Sequence, residues 1–224
     1  MSELFPQLPD KYPRTPYCPW SPSVPADGLI ADMDRFVGQE IVVTEKLDGS
    51  NVLLLAGQAY PRSVSGAGRH GWLGMVRKHH AWKTTVWSQT HFYGEDLYGV
   101  HAIEYDPMPE DETFRLFCVA QPGVILPWHG VRKFAGILEV KTVPELFCGR
   151  VDTLDDLRRL TDGLMGQPSS LGGEREGVVI RRAQGFFRIQ FHNNVCKIVR
   201  PDHVQPDETH WSTHWRPARL LAAT

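Results

Sequence analysis

No apolar run approaches the ~18 residues that a membrane-spanning helix needs, and the opening MSELFPQLPDKYPR has no signal-like apolar core. A soluble, cytoplasmic protein with no membrane partner is therefore expected. Cysteine is scarce: Cys18, Cys118, Cys148 and Cys196 lie far apart with no CxxC pair, which argues against a zinc ribbon and a disulfide scaffold. The ten histidines form no HExxH and no Cys/His ligand spacing, so His79-His80 and His101 read as surface or packing residues. The absence of a GxxxxGK[ST] loop excludes P-loop phosphate chemistry. Excess charge is lacking too. Lys+Arg number 24 against 26 Asp+Glu, a formal net charge of −2, so any nucleic-acid contact must come from a local basic patch.

What is present is an ordinary globular composition: 224 residues, 42% hydrophobic and 22% charged, enough for one domain with at most a small appendage. Residues 1–27 are proline-rich and aperiodic, and read as an extended arm over the body, anchored by Tyr12, Tyr17 and Trp20. A helix is expected over 28–37, with Asp27 as N-cap and Leu29, Ile30, Met33, Phe36 and Val37 at helical spacing. QEIVVTEKL and NVLLLAG read as two strands about a turn containing Asp48-Gly49, a dipeptide that alone would signal a hairpin.

Residues 69–104, rich in His and Trp, give a mixed pattern of one helix and a loop. FRLFCVAQPG reads as a strand closed by Pro-Gly. VDTLDDLRRLTDGLMG is the clearest helix, capped by Thr153 with Asp156 three residues on, and Leu154, Leu157, Leu160 and Leu164 share a face. Three short strands follow: EGVVIRR, FFRIQFH and VCKIVRP. Mostly strands with a few inserted helices, and no repeat, suggest an α+β fold.

The tetrad Lys46-Leu47-Asp48-Gly49 raises the question of chemistry. A lysine at a strand end is ordinarily a solvated cap, and four letters with one free position recur by chance. Ordered companions change its weight: Arg62-Ser63, Glu95 in FYGEDLYG, Phe117 in FRLFCVA, Glu176 in EGVVIRR and Lys197 in VCKIVRP. With KYPRTPYCPWS, TEKLDGSN, YGEDLYGVHAIEY and VRPDHVQPDETHW, the chain resembles the covalent nucleotidyltransferases, and within them the RNA-repair and editing-type RNA ligases, over residues 11–211.

That resemblance implies an antiparallel-rich nucleotidyltransferase (ATP-grasp-like) adenylation fold with an AMP pocket between sheets. It makes Lys46 the nucleophile that takes AMP from ATP, Glu176 a carboxylate for Mg2+ (or Mn2+), and Lys197 a cation neutralising the α-phosphate. It also implies that Glu95 binds the ribose and Phe117 stacks on adenine, with Glu104 and Phe114 as the alternatives. Glu45 would meet the adenine amino group through its backbone carbonyl, Arg62 the phosphate or ribose, and Asn51 would serve the later steps. A free lysine amine titrates near about 10.4, so Lys46 needs nearby positive charge or desolvation to attack. Gly49 would let the backbone approach a phosphate closely.

The sequence departs from the family in its last motif, which often carries two lysines at i and i+2. Here Val199 stands two residues after Lys197, and either Arg200 or another cation must substitute. The stretch after Arg200 is too short for an OB-fold or a helical C-terminal domain. The expected organisation is an arm over 1–27, an adenylation domain over 28–205 and a short tail over 206–224. The expected activity is ATP-dependent sealing of RNA, at nicked duplexes or broken ends, joining a 5′-phosphate to a 3′-hydroxyl. A minimal DNA ligase, a guanylyltransferase and a ligase-like binding domain without sealing activity are the alternatives, and a partner protein supplying strand grip remains open. RHGWLGMVRKHHAWK, including Arg69, Trp72, Arg77, Lys78 and Trp82, reads equally as a nucleic-acid surface or a helix with a solvated face; Arg181, Arg182 and Arg188 are further strand-binding candidates.

Overall fold

The computed structural model describes residues 10–63, 71–201 and 215–221. In chain order its elements are β1 (Glu40–Lys46), β2 (Ser50–Leu55), β3 (Gln58–Pro61), α1 (Gly74–His79), β4 (His91–Asp96), β5 (Gly99–Val100), β6 (Phe114–Gln121) and β7 (Val124–Ile125). They continue with α2 (Trp128–Ile137), β8 (Lys141–Thr142), β9 (Glu145–Arg150), α3 (Leu154–Met165), β10 (Gly177–Arg182), β11 (Phe186–Phe187), β12 (Val195–Val199) and β13 (Arg216–Pro217).

The β-branched run Ile41-Val42-Val43-Thr44 is buried on both faces, as expected of a central strand. Accordingly β1 lies inside a four-stranded sheet ordered β12-β10-β1-β9, antiparallel to both neighbours. A second, seven-stranded sheet runs β11-β7-β6-β4-β2-β3, with β8 added parallel to β6. The α+β expectation holds. One face of the first sheet packs Ile41, Val43, Val178, Ile180 and Ile198 against Leu157 and Leu164 of α3. That helix starts where Thr153 Oγ1 accepts from Asp156 N at 3.1 Å. Leu157 is fully buried, a contribution of about 1.5–3 kcal/mol; Leu154, expected on the same face, is exposed. The second sheet packs Val52, Leu54, Phe92, Phe114 and Leu116 against Val131 and Ala135 of α2. A third cluster, with Leu53, Tyr93, Cys118, Phe191 and Val195, lies where the two sheets face each other.

As expected, two strands, β1 and β2, flank Asp48-Gly49; they belong to different sheets, so the KLDG segment is a crossing between sheets and not a hairpin. Three expectations require correction. No α-helix spans 28–37. The backbone of Leu29 and Ala31 is hydrogen-bonded to Tyr17, leaving only a capped turn at Met33–Arg35, with Asp32 rather than Asp27 as its cap. Residues 69–104, where described, hold the one short helix α1 with 3-10 turns on either side, but in place of a loop they contain β4, a strand interior to the second sheet, and the short β5. In FFRIQFH only Phe186–Phe187 is strand, and Arg188–Asn193 forms a 3-10 turn.

The arm, from residue 10 onward, is part of the sheet system. Lys197 N donates to Pro16 O at 2.9 Å and Cys18 N to Lys197 O at 2.8 Å, which extends β12 outward. Its three aromatic anchors hold. Tyr12 packs against Tyr93, Phe117 and Phe191, Tyr17 against Lys197, and Trp20 Nε1 donates to Thr161 Oγ1 at 3.1 Å. The expected tail is also tied down where it is described. β13 pairs with β5, Trp215 packs on Trp72 and Tyr98, and Arg216 and Arg219 hold Glu104. Among the described residues no helix is long and apolar enough to cross a membrane.

Candidate active site

A cavity of about 600 Å³ opens between the two sheets, and most of its charged lining comes from strand ends. Lys46, the last residue of β1, reaches into it half-buried and ion-pairs with Glu176, the residue just before β10. Glu176 is almost fully buried. Burial alone would lower the Lys46 pKa, but attraction to Glu176, Glu95 and Asp48 outweighs it and raises the pKa above its ordinary value. The amine is therefore held as an ammonium.

Lys197 lines the same cavity from β12. Burial, then repulsion from Lys46, lowers its pKa to about 8, against an opposing pull from Glu176. Its ammonium lies 4.2 Å from the centre of the Tyr17 ring, a cation–π seat supplied by the arm. Glu95 enters from β4, opposite Asn51 on β2. Burial is the main reason its pKa rises to about 8; Lys46 opposes the shift, and Glu176 and Asp48 add to it.

Phe117 owes its position to a bulge. Tyr93 pairs with Cys118 and Gly94 with Leu116, so Phe117 is the extra residue on β6. Bulges beside functional sites re-aim side chains in this way. Phe117 thereby faces the cavity, edge-on to Tyr12 at 5.0 Å, while Phe114 is buried on the other face against Gly94. Glu104, the alternative to Glu95, is bound to Arg216 and Arg219 and does not line the cavity. Glu45 borders the cavity, but its carboxylate turns away, accepting from Ser170 N at 2.9 Å and lying 3.7 Å from Arg175. Arg62 stands exposed on the rim just beyond β3. All eight residues singled out from the sequence thus gather here: seven line the cavity, and Glu176 reaches it through Lys46.

Several contributors were not legible as such. Asp48 is a buried clamp: Oδ2 accepts from Ala102 N at 2.8 Å and Ile103 N at 2.7 Å, and its own N–H donates to the Tyr105 hydroxyl at 2.7 Å. Gly49 is also required to be glycine by the packing of the crossing. A Cβ there would lie 2.5 Å from Asp96 O, so the close approach is to the backbone of β4. Val179 joins the cavity from β10. Arg181 is no surface cation: it is buried in the cavity wall, donates to Leu126 O at 2.7 Å, and lies over Trp128 and Phe186. Alternation along β10 carried the signal, since Arg181 follows Val179 by two.

The other proposed strand-binding cations are also engaged within the fold. Lys78 and His79 meet Glu110, Arg182 donates to Gln39, and Arg188 holds the arm through Asp10 and the Lys11 carbonyl. Arg69 lies outside the described residues. Arg200 pairs with Glu174 and does not line the cavity, whereas Lys46, Arg62, Arg181 and Lys197 do.

Asp96, beside Glu95, is fully buried, and only its Oδ1 is hydrogen-bonded, accepting from Tyr98 N at 3.1 Å. Burial pushes its pKa up to about 8. A raised carboxyl pKa stabilises the fold below the unfolded value, and that stability is lost as pH rises through about 8. Asp96→Asn should therefore melt close to wild type at pH 5 and several degrees above it at pH 8.5, with ~2–4 °C expected per kcal/mol. Thermal denaturation across this range checks it, and parallel pH profiles would remove Asp96 as the cause.

A family model described as RNA ligase matches residues 39–199, from the edge of β1 to the end of β12, and the chain belongs to that family. No curated protein matches. Solved structures of similar fold include a Naegleria gruberi RNA ligase with pyrophosphate, at 19% identity and a TM-score of 0.59 over 88% of this chain and 57% of that one. A point variant of the same ligase, with ATP and Mn, gives 18% and 0.60 over 88% and 57%. An archaeal ATP-dependent RNA ligase gives 14% and 0.55 over 85% and 48%. The chain spans about half the length of the solved ligases it matches.

Proposed function

We propose that this chain is the adenylyltransferase unit of an ATP-dependent RNA ligase, with the AMP site in the intersheet cavity. The observation that carries the reading is a strand-end lysine held against a buried carboxylate, with Lys197 and Glu95 in the same cavity. In the first step the Lys46 ammonium gives up its proton to solvent, and the neutral amine attacks the α-phosphorus of ATP. A nitrogen–phosphorus bond forms, and pyrophosphate leaves with the bridging electron pair. A 5′-phosphate oxygen of the strand then displaces Lys46 and takes the AMP. Finally the 3′-hydroxyl attacks that 5′-phosphorus, AMP departs, and the strand is sealed.

The chain's own residues position the reactants and balance charge. Lys197, kept cationic below about pH 8, would face the charge that builds on the α-phosphate. Phe117 would stack on the adenine, Glu95 and Arg62 would meet the ribose and phosphates, and Asn51 would serve transfer and sealing. Glu45 would offer its backbone to the adenine amino group, because its carboxylate is committed elsewhere.

Among the described residues no group of three His, Cys, Asp or Glu side chains could enclose an ion. The hard carboxylate oxygens of Glu176 nonetheless suit Mg2+ or Mn2+, with substrate phosphates and water completing the shell. A divalent ion there would supply charge neutralisation at the phosphates and would compete with the Lys46 ammonium for Glu176.

Labelling with α-32P-ATP and with α-32P-GTP, then a chase with nicked RNA, tests the reading. ATP-specific label that moves to the 5′-phosphate is expected; label from GTP alone, or none, would sink it. Phe117→Ala should weaken ATP binding by about 1–3 kcal/mol. Phe114→Ala should instead lower the melting temperature, because it empties a core site worth about 3–5 kcal/mol. Equal losses of affinity in titration calorimetry would remove Phe117 from the stacking role.

A further inference from the structure

Lys46 and Glu176 are each preceded by a charged residue whose charge no step above uses. Glu45 and Arg175 are both almost wholly buried, and their side chains lie 3.7 Å apart. Successive strand residues point to opposite faces. Glu45 therefore leaves β1 on the face that Ile41 and Val43 turn towards α3, away from Lys46, and Arg175 meets it there. Two ion pairs thus join the same two chain segments back to back, at the point where Lys46 pairs with Gly177.

By its geometry the Glu45–Arg175 pair is a poor stabiliser. At 3.7 Å the charges share no direct hydrogen bond, and among the described residues Glu45 Oε1 and Arg175 Nε have no hydrogen-bond partner. Desolvation offsets much of the attraction in such a pair, and apolar residues of similar volume often serve stability as well. What these charges do is fix backbone. Glu45 Oε2 accepts from Ser170 N at 2.9 Å. Arg175 donates from Nη1 to Leu164 O at 2.8 Å, in the last turn of α3, and from Nη2 to Pro168 O at 2.9 Å. A rigid fork that serves two carbonyls is the property of a guanidinium rather than of an ammonium.

The backbone held in this way borders the reacting groups. Glu45 N donates to Pro144 O at 2.8 Å and Arg200 N to Glu176 O at 2.9 Å, so neighbouring segments hold the two strand ends from either side. Gly177 adds to this, since a Cβ there would lie 2.1 Å from Ile198 O. The Glu45–Arg175 pair supplies the remaining restraint, from the α3 face. The loop it pins carries the restraint further. Asp106 N donates to Leu171 O at 2.9 Å, and the hydroxyl of the adjoining Tyr105 accepts from Asp48 N at 2.7 Å. The chain on both sides of Lys46 is thereby tied to one loop.

We propose that Glu45 and Arg175 are positioning residues for adenylyl transfer: their pair fixes the backbone beside Lys46 and Glu176, and so holds the amine and the carboxylate in the spacing that attack on the α-phosphorus needs. Both side chains act through their neighbours and not on the nucleotide. This assignment rests on the ligase reading above.

The test uses the full chain in single-turnover labelling with α-32P-ATP over a range of ATP concentrations, well below each variant's melting temperature. A misplacement of ~1 Å can cost about 100-fold in rate, so Arg175→Met should lower the maximal rate about 30-fold or more and leave the half-saturating ATP concentration within about threefold. Arg175→Lys keeps a cation beside Glu45, and so a folded chain, but one ammonium cannot serve both carbonyls; its maximal rate should be about tenfold below wild type. Glu45→Gln combined with Arg175→Met removes both charges, so this double variant should melt near wild type and still be slow. Equal maximal rates in wild type and both Arg175 variants, whatever their melting temperatures, overturn the assignment alone. So does a double variant that labels at the wild-type rate. A loss confined to the ATP requirement also overturns it, since the pair would then shape the nucleotide pocket. A wild type that takes no label overturns the ligase reading and this assignment with it.

Discussion

Lys46→Ala should carry no covalent AMP at any pH or magnesium concentration, yet remain folded. The amine is the proposed attacking group, and no other lysine among the described residues lines the cavity except Lys197, which comes from β12 and is seated on Tyr17. Removing one partner of a fully buried ion pair costs about 3–5 kcal/mol. Here the cavity admits water on the Lys46 side, so the loss should fall towards or below the lower figure, within a domain stability of about 5–15 kcal/mol. Lys46→Arg should be equally inert, because a guanidinium stays protonated and has no lone pair to offer. α-32P-ATP labelling on denaturing gels, beside a thermal melt, makes the measurement. Label that persists in the alanine variant would move the nucleophile elsewhere, with Lys197 first to be examined.

The elements legible in the sequence are those whose own residues dictate them. β1 and β10 are β-branched runs, and α3 carries its cap and its apolar stripe. The motif residues sit at or near the ends of such strands, so their convergence could be anticipated. What stayed hidden depends on distant partners. β4 holds a glycine because the Phe114 ring fills the space of its side chain, and two carboxyls because Glu95 and Asp96 face opposite sides; together they erase the apolar alternation. The bulge that turns Phe117 towards the cavity is a property of the β4–β6 pairing rather than of FRLFCVA. The arm read as an appendage because its pairing with β12 joins segments far apart in sequence. Arg181 read as a strand-binding cation and Asp48 as a turn residue, since nothing local announces a buried guanidinium over two rings or a clamp on residues 102 and 103.

Glu176→Gln should separate two effects that act in opposite directions on the same step. The carboxylate holds the proton on Lys46, so losing its charge should lower the amine's pKa and move the alkaline rise in labelling rate towards neutrality. The sign follows from charge. A group whose cationic form loses an anionic neighbour gives up its proton at lower pH. The same substitution removes the proposed magnesium anchor and unbalances the charge facing the phosphates. Removing one preorganised electrostatic contact typically costs ~100–1000-fold in rate, more than a readier amine restores near neutral pH. Labelling should therefore fall by about two orders of magnitude at pH 7.5, require more magnesium for its half-maximum, and keep a pH profile displaced to the acid side. Single-turnover labelling over pH 6–10 at several magnesium concentrations measures all three. A lower rate with an unshifted pH profile would mean that Glu176 does not control the Lys46 proton. An unchanged magnesium requirement would instead assign its whole effect to the ion pair with Lys46.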